Sequence, residues 1–235
     1  MRFALGSFWA RVLFAALLAL AACARNDKNG KDEATSLRHA QLVPALLDGI
    51  PQEGNSLGDP EAPVVLVEFI DLQCPACAAA GVITLPPIIE RYVRTGKVRV
   101  VLHTLAFLGP DSVEAAQMAA AAGEQNKMFQ FVELFLHNQG KPNTDYVTDR
   151  SLRRLGEAIP QLDVDKAMRE RNSEAVDRRL SEANEAANAH GIDATPSFLL
   201  GRVGEEPKLI RLGSFDPAEL GNEIEALLEE KDGGT

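Results

Sequence analysis

The stretch "APVVLVEFIDLQCPACAAA", residues 62–80, restricts what this chain can fold into more than any other segment. Residues 64–70 are apolar except for Glu68 and are rich in valine. A run this continuous suits a central strand covered on both faces; a half-exposed strand would alternate. Pro75 then opens a helix, because proline fits the first helical position, where its missing N–H costs nothing. Cys74 and Cys77, spaced as C-P-A-C, therefore sit where a buried strand meets a helix start. Unpaired backbone N–H groups point outward at such a start and favour negative charge.

The helix is expected to reach about residue 95, kinked at Pro86-Pro87. "KVRVVLHT", residues 97–104, reads as a second strand, and strand–helix–strand implies a parallel pair. From Pro110 to His190 the composition turns helical, with "KPNTD" as a break. Val176, Leu180, Ala183 and Ala187 share one face of the last of these helices, and His190-Gly191 suits its C-terminal cap. After Ala194-Thr195-Pro196 come two short β candidates, "SFLLGR" and "PKLIRLG". A final helix is capped by Asp216, opened by Pro217 and given a capping box by Glu219, with Leu220, Ile224, Leu227 and Leu228 as its buried stripe.

The 235 residues, 46% hydrophobic and 25% charged, suffice for one full core or a core with an insertion. Residues 1–22 read as an export signal: Arg2 and Arg11 supply positive charge, and the apolar run 12–22 is shorter than the roughly 20 residues a bilayer span needs. Its end, Leu20-Ala21-Ala22-Cys23, resembles the lipobox of bacterial lipoproteins, which makes Cys23 a candidate lipidation site and the lipid a membrane anchor. An ordinary small-residue cleavage site and an uncleaved anchor starting nearer Phe8 are the other two readings. All three place the folded part outside the cytoplasm. Residues 23–55 form a tether and N-terminal extension, with 24–36 polar and 37–50 a short helix interrupted by Pro44. The folded domain spans 56–230 and a flexible tail 231–235. Without residues 1–22, 22 basic residues face 34 acidic ones, 22 − 34 = −12 with histidine neutral. A body that acidic argues against nucleic acid or anionic lipid headgroups as the main partner.

With Cys23 assigned to the leader, Cys74 and Cys77 are the only thiols of the exported domain. A domain of this size needs no staple, and a clip closing so small a loop would contribute little. Zinc usually takes four ligands, and the sequence offers neither a second CxxC nor a close histidine pair, so no metal site is expected. Redox use remains. His39, His103, His137 and His190 are isolated in sequence and read as structural or solvated.

The order β-α-β, helical block, β-β-α, with CPAC opening the first helix and Thr195-Pro196 before the hairpin, resembles the thioredoxin fold. More narrowly it resembles the DsbA-like thiol–disulfide oxidoreductases, an α/β class with a helical subdomain inserted, here at about 110–190. The resemblance implies that Cys74 is the exposed attacking sulfur and Cys77 its buried partner, with Pro75 and Ala76 forming the active-site loop. It implies that Glu68 accepts the proton of Cys77; an edge-facing, solvated glutamate is the alternative. It implies that Thr195-Pro196 is a cis-proline loop facing the disulfide and binding substrate; a plain strand-starting proline is the alternative. Ala194 departs from the family pattern, where many members carry glycine, and no histidine lies between the cysteines.

No cofactor is implied beyond the redox-active disulfide itself. Exported cysteine-containing proteins are the implied substrates, and the implied membrane partner is quinone-coupled, resembling DsbB or a vitamin K epoxide reductase homologue. The leading expectation is a disulfide-forming oxidase. A reductase using the same site, for example in cytochrome maturation, and a peptide-binding chaperone with incidental cysteines are the alternatives. A CxxC cysteine at a helix start can fall from about 8.5 to roughly 3.5–7.5 in pKa. A two-unit drop favours the thiolate by about 2.7 kcal/mol, or roughly 60 mV toward the reduced pair.

Overall fold

The computed structural model describes residues 37–229. The export signal, Cys23, the polar stretch 24–36 and the tail 231–235 lie outside the described residues. Strands β1 (Gln52–Glu53), β2 (Ser56–Leu57), β3 (Val64–Asp71), β4 (Val98–Leu105), β5 (Ser197–Arg202) and β6 (Lys208–Ile210) form one sheet in the order β1-β2-β4-β3-β5-β6. β3 is central, parallel to β4 from Val64↔Val98 to Asp71↔Leu105 and antiparallel to β5.

The apolar run behaves as its pattern dictates. Val64, Leu66, Phe69 and Ile70 are fully buried. Leu66 and Ile70 join the main core, which also holds Cys77, Phe131 and Leu220. Phe69 faces the other side, among Leu105, Ala183, Ala187 and Leu199. Both faces of β3 are covered, which is why the run barely alternates.

Helix α2 (Pro75–Val93) follows β3. The disturbance expected at Pro86-Pro87 takes the form of two wide π turns, Ala80–Thr84 and Ile89–Val93, on either side of the prolines. The prolines cannot donate to the carbonyls one turn back, so neighbouring bonds lengthen to five-residue spacing: Leu85 N–H reaches the Ala80 carbonyl, and Arg94 N–H that of Ile89 at 2.9 Å. The helix continues instead of breaking.

Between β4 and β5 lie α3 (Pro110–Gly123), α4 (Met128–His137), α5 (Asp149–Glu157), α6 (Val164–Glu170) and α7 (Glu174–Ala189). The fold is thus thioredoxin-like with a helical insertion, the class expected. α3 buries a surface of alanines, which lets the aromatic-rich α4 pack closely. α7 buries Val176, Ala183 and Ala187 with Leu180 half-buried. It stops as predicted: Gly191 adopts φ +64, and Ile192 N–H closes on the Ala187 carbonyl at 2.8 Å.

α8 (Pro217–Glu229) buries Leu220 and Ile224, with Leu227 and Leu228 half-buried. Its cap differs from the expected box. Asp216 Oδ1 does accept from Ala218 N–H at 2.9 Å. Glu219, however, reaches past Asp216 to the N–H groups of Gly213 (2.6 Å) and Ser214 (3.0 Å). The Asp216 N–H is already taken by Ser214 Oγ at 3.3 Å, so the carboxylate ties down the preceding turn.

In the N-terminal extension, α1 (Leu42–Leu47) runs through Pro44 without interruption, because Pro44 falls in the first turn, where no N–H bond is lost. Val43, Leu47 and Ile50 are buried in the main core. β1 and β2 form a small antiparallel pair that extends the sheet through Ser56↔Val101 and Leu57↔Val100. Two-residue strands carry no period, which leaves them unreadable from sequence.

Candidate active site

β3 ends at Asp71, and three residues later Cys74 caps α2 in an extended conformation (φ −74, ψ 119). The turn between them is held rigidly. Asp71 is fully buried; its Oδ1 accepts from Gln73 N–H (2.8 Å) and Ser112 Oγ (2.7 Å). Its Oδ2 accepts from the N–H groups of Phe107 (2.7 Å) and Leu108 (2.9 Å). The Asp71 carbonyl accepts from Cys74 N–H at 2.9 Å. Gln73 Nε2 donates to Ser112 Oγ, Gln73 Oε1 accepts from Asn143 N–H, and Gln139 Nε2 donates to the carbonyls of Leu72 and Cys74. The β4–α3 loop and the segment after α4 thereby fix the cysteine turn. Sequence reasoning missed Asp71, Gln73 and Gln139; the available signal was a second acid at the end of an apolar run.

Cys74 is half-buried and Cys77 fully buried, both as free thiols. The Cys74 pKa falls to about 6. The largest cause is a hydrogen bond from the Cys77 thiol; partial burial opposes it, and the Thr195 side chain and the backbone N–H groups of Cys77 and Ala76 add to it. The helix start expected from sequence to hold the thiolate does contribute, but after the neighbouring thiol. Burial first, and Cys74 second, push Cys77 far above the ordinary thiol range. One sulfur is thus set to ionise near neutral pH and the other to stay protonated.

Thr195-Pro196 is cis, and its backbone faces the pair: Cys74 Sγ donates to the Thr195 carbonyl at 3.3 Å. Ser197 Oγ donates to the Ala194 carbonyl at 2.8 Å, bracing the loop at Ala194. Pro75 and Ala76 occupy the first turn of α2, Ala76 offering its backbone N–H and no polar side chain.

Glu68 is 6% exposed, in mid-β3 opposite Leu102 and Phe198. Burial pushes its pKa up to about 8. The solvated-edge alternative therefore fails: the strand is central and the carboxyl is inside. A second buried acid, Glu133 on α4, is likewise pushed up to about 8, by burial and then by the charge of Glu68. Sequence reasoning passed over it.

The histidines lie elsewhere, with one correction. His39 and His137, isolated in sequence, stack with ring centroids 4.1 Å apart. Burial, then His39 and Arg38, hold His137 down to about 4. His103 stacks on Phe69, and His190 Nδ1 lies 2.9 Å from the Ala186 carbonyl at the α7 end. Among the described residues no group of three or more His, Cys, Asp or Glu is placed to hold a metal ion.

A thioredoxin family model matches residues 52–208. A probable disulfide bond formation protein D from Bacillus cereus is 32% identical over 149 residues, covering 60% of this chain and 67% of that protein. This chain belongs to the DsbA-like thioredoxin family. Two solved structures share the DsbA-like fold. BdbD from Bacillus subtilis in its oxidised form superposes with a TM-score of 0.66 at 22% identity, over 77% of this chain and 97% of that one. DsbA from Chlamydia trachomatis gives 0.65 at 22%, over 75% and 92%. In this DsbA-like chain the capping cysteine and the cis-proline loop meet beyond the C-terminal end of the central strand, where the insertion buttresses them from behind.

Proposed function

We propose that this DsbA-like oxidoreductase forms disulfides in exported proteins through the Cys74–Cys77 pair. One observation carries the reading: a half-buried Cys74 near pKa 6 beside a fully buried, protonated Cys77. A sulfur that leaves readily as thiolate makes the disulfide a good oxidant. The relative named for disulfide bond formation supports the same direction.

A substrate thiolate attacks Cys74 Sγ, and the electron pair of the Cys74–Cys77 bond moves onto Cys77 Sγ. That buried sulfur takes a proton from Glu68, whose carboxyl near pKa 8 is protonated at neutral pH. The substrate is now joined to Cys74 as a mixed disulfide, its chain positioned by the backbone of Thr195 and Pro196. A second substrate thiolate attacks the first substrate sulfur, and Cys74 departs as thiolate without needing a proton. The substrate loses two electrons and the enzyme gains them. A quinone-coupled membrane partner, DsbB-like or resembling a vitamin K epoxide reductase homologue, takes them on. Residues 1–22 export the chain and Cys23 carries a lipid that holds it at the membrane, so the pair works in an extracytoplasmic compartment.

One feature favours the reverse direction: Ala76 adds no side-chain donor beside Cys74, so a reductase near thioredoxin's potential is the second reading. Equilibration of the full chain in glutathione redox buffers separates them. A potential well above thioredoxin's value of about −270 mV supports the oxidase; one near it makes the reductase the better account.

A further inference from the structure

We propose that Glu133, on α4 of the helical insertion, is a positioning residue that shares a proton with Glu68 behind Cys77, so that the insertion takes part in proton handling at the buried sulfur. The inference rests on the oxidoreductase reading of the Cys74–Cys77 pair and deepens it.

The geometry starts from Gly81, four residues after Cys77 on α2 and hence on the same helix face. Both carboxyl oxygens of Glu133 stand 3.9 Å from where a side chain at Gly81 would begin, and Leu136 Cδ1 stands 2.7 Å from it. A residue with a side chain there would push α4 away; glycine lets the α4 carboxyl come up against the turn below Cys77. Glu133 is 5% exposed, and its Oε2 has no hydrogen-bond partner. The surrounding α4 residues, Phe131, Val132, Leu134 and Phe135, are buried and apolar. A carboxyl without a cation in such a setting destabilises the fold, so a structural purpose for it is hard to find.

Glu68 lies on the β3 face that carries Leu66 and Ile70 into the core containing Cys77 and the apolar neighbours of Glu133 on α4. Its charge is the one that acts on Glu133. On the other elements packed against α4, Glu114 of α3 pairs with Arg171 at 3.0 Å, and Asp111 of α3 and Arg154 of α5 are not among the causes that shift Glu133. Two carboxyls buried together cannot both ionise easily, so the second proton stays on until higher pH.

When a substrate thiolate opens the disulfide, the electron pair lands on Cys77 Sγ and the proton of Glu68 follows it. The new Glu68 carboxylate then draws the Glu133 proton toward itself, and one negative charge, that of the incoming thiolate, is spread over the pair. Reoxidation returns the proton by the same route.

The test is reduction of the oxidised full chain by glutathione as a function of pH, acid-quenched and counted by alkylation, with rates divided by the thiolate fraction of glutathione. The parent is expected to lose rate above neutrality in two separated steps. In Glu133→Gln a single step is expected, with its midpoint about one pH unit lower than the parent's second step. Glu68→Gln should lose about tenfold or more below about pH 8, the deficit narrowing as Glu68 ionises in the parent. A Glu133→Gln profile within twofold of the parent throughout overturns the inference while leaving the oxidoreductase reading intact; a parent that exchanges no disulfide overturns both. Should Glu133→Gln not fold, infrared difference spectra of the oxidised parent across the same pH range decide: two protonated carboxyls titrating in separate steps support the pair, and one alone refutes it.

Discussion

Replacing Cys77 separates its thiol from the other sources of Cys74 acidity, the Thr195 side chain and the amides of the helix start. The Cys77 thiol is the largest contributor to a fall from 9.0 to about 6, ahead of the amides of Cys77 and Ala76. A hydrogen bond to a charged group contributes about 1.5–3 kcal/mol, equivalent to roughly one to two pKa units, and solvent at a half-buried sulfur reduces that toward the lower end. Cys77→Ala removes the donor and should raise the Cys74 pKa by about one unit. Cys77→Ser keeps a donor at the same place and should stay within a few tenths of the parent. Neither variant can close the disulfide, so thiolate absorbance at Cys74 can be followed against pH without redox control. An unchanged pKa in Cys77→Ala would refute the reasoning, leaving the Thr195 side chain and the helix start to support the anion. A serine variant shifted as far as the alanine one would refute it equally.

Glu68 makes stability depend on pH. Its folded pKa, about 8, lies above the ordinary 4.5, so its contribution is complete below about 4.5 and is lost as pH rises through 8. The loss is at most about 5 kcal/mol, from 3.5 units at about 1.36 kcal/mol each. Urea unfolding of the oxidised protein at pH 5 and pH 8 should show a decline of a few kcal/mol that Glu68→Gln reduces; a parent equally stable at both would contradict this. Asp71→Ala leaves the N–H groups of Gln73, Phe107 and Leu108 and the Ser112 hydroxyl without their acceptor. It should lower unfolding free energy by about 3 kcal/mol or more, and a loss under about 1 kcal/mol in chemical denaturation would show that the turn stands without it. The redox potential should also depend on pH. With Cys74 near 6 instead of 9, the reduced form gains only about 1.4 kcal/mol at pH 7, some 30 mV, and more as pH rises toward 9. A potential that tracks pH with the slope of two ordinary thiols from pH 6 to 9 would contradict that.

Much of the fold was legible because its signals are local. The valine-rich run dictated a doubly covered strand, Pro75 dictated a helix start, and Gly191 dictated a helix stop. What escaped depends on partners far along the chain. Asp71 looks like the polar end of a strand until Phe107, Leu108 and Ser112 fold over it. His39 and His137 become a stacked pair only through packing of the extension on α4. Glu133 was readable in principle by the criterion that singled out Glu68, an acid inside an apolar element, but a single acid in "KMFQFVELFLHN" equally suits a helix face turned to water. The order of causes at Cys74 was not readable at all, since it depends on how close the two sulfurs sit.

The central claim is that Cys74 is the ionised, attacking sulfur near neutral pH. Alkylation of the reduced full chain at increasing pH, with the modified residue located by mass spectrometry, tests it most directly. The account predicts that Cys74 reacts first, with a rate rising through a midpoint at about 6, while Cys77 stays unmodified. A midpoint near 8.5, as for free cysteine, or equal labelling of both sulfurs would contradict it.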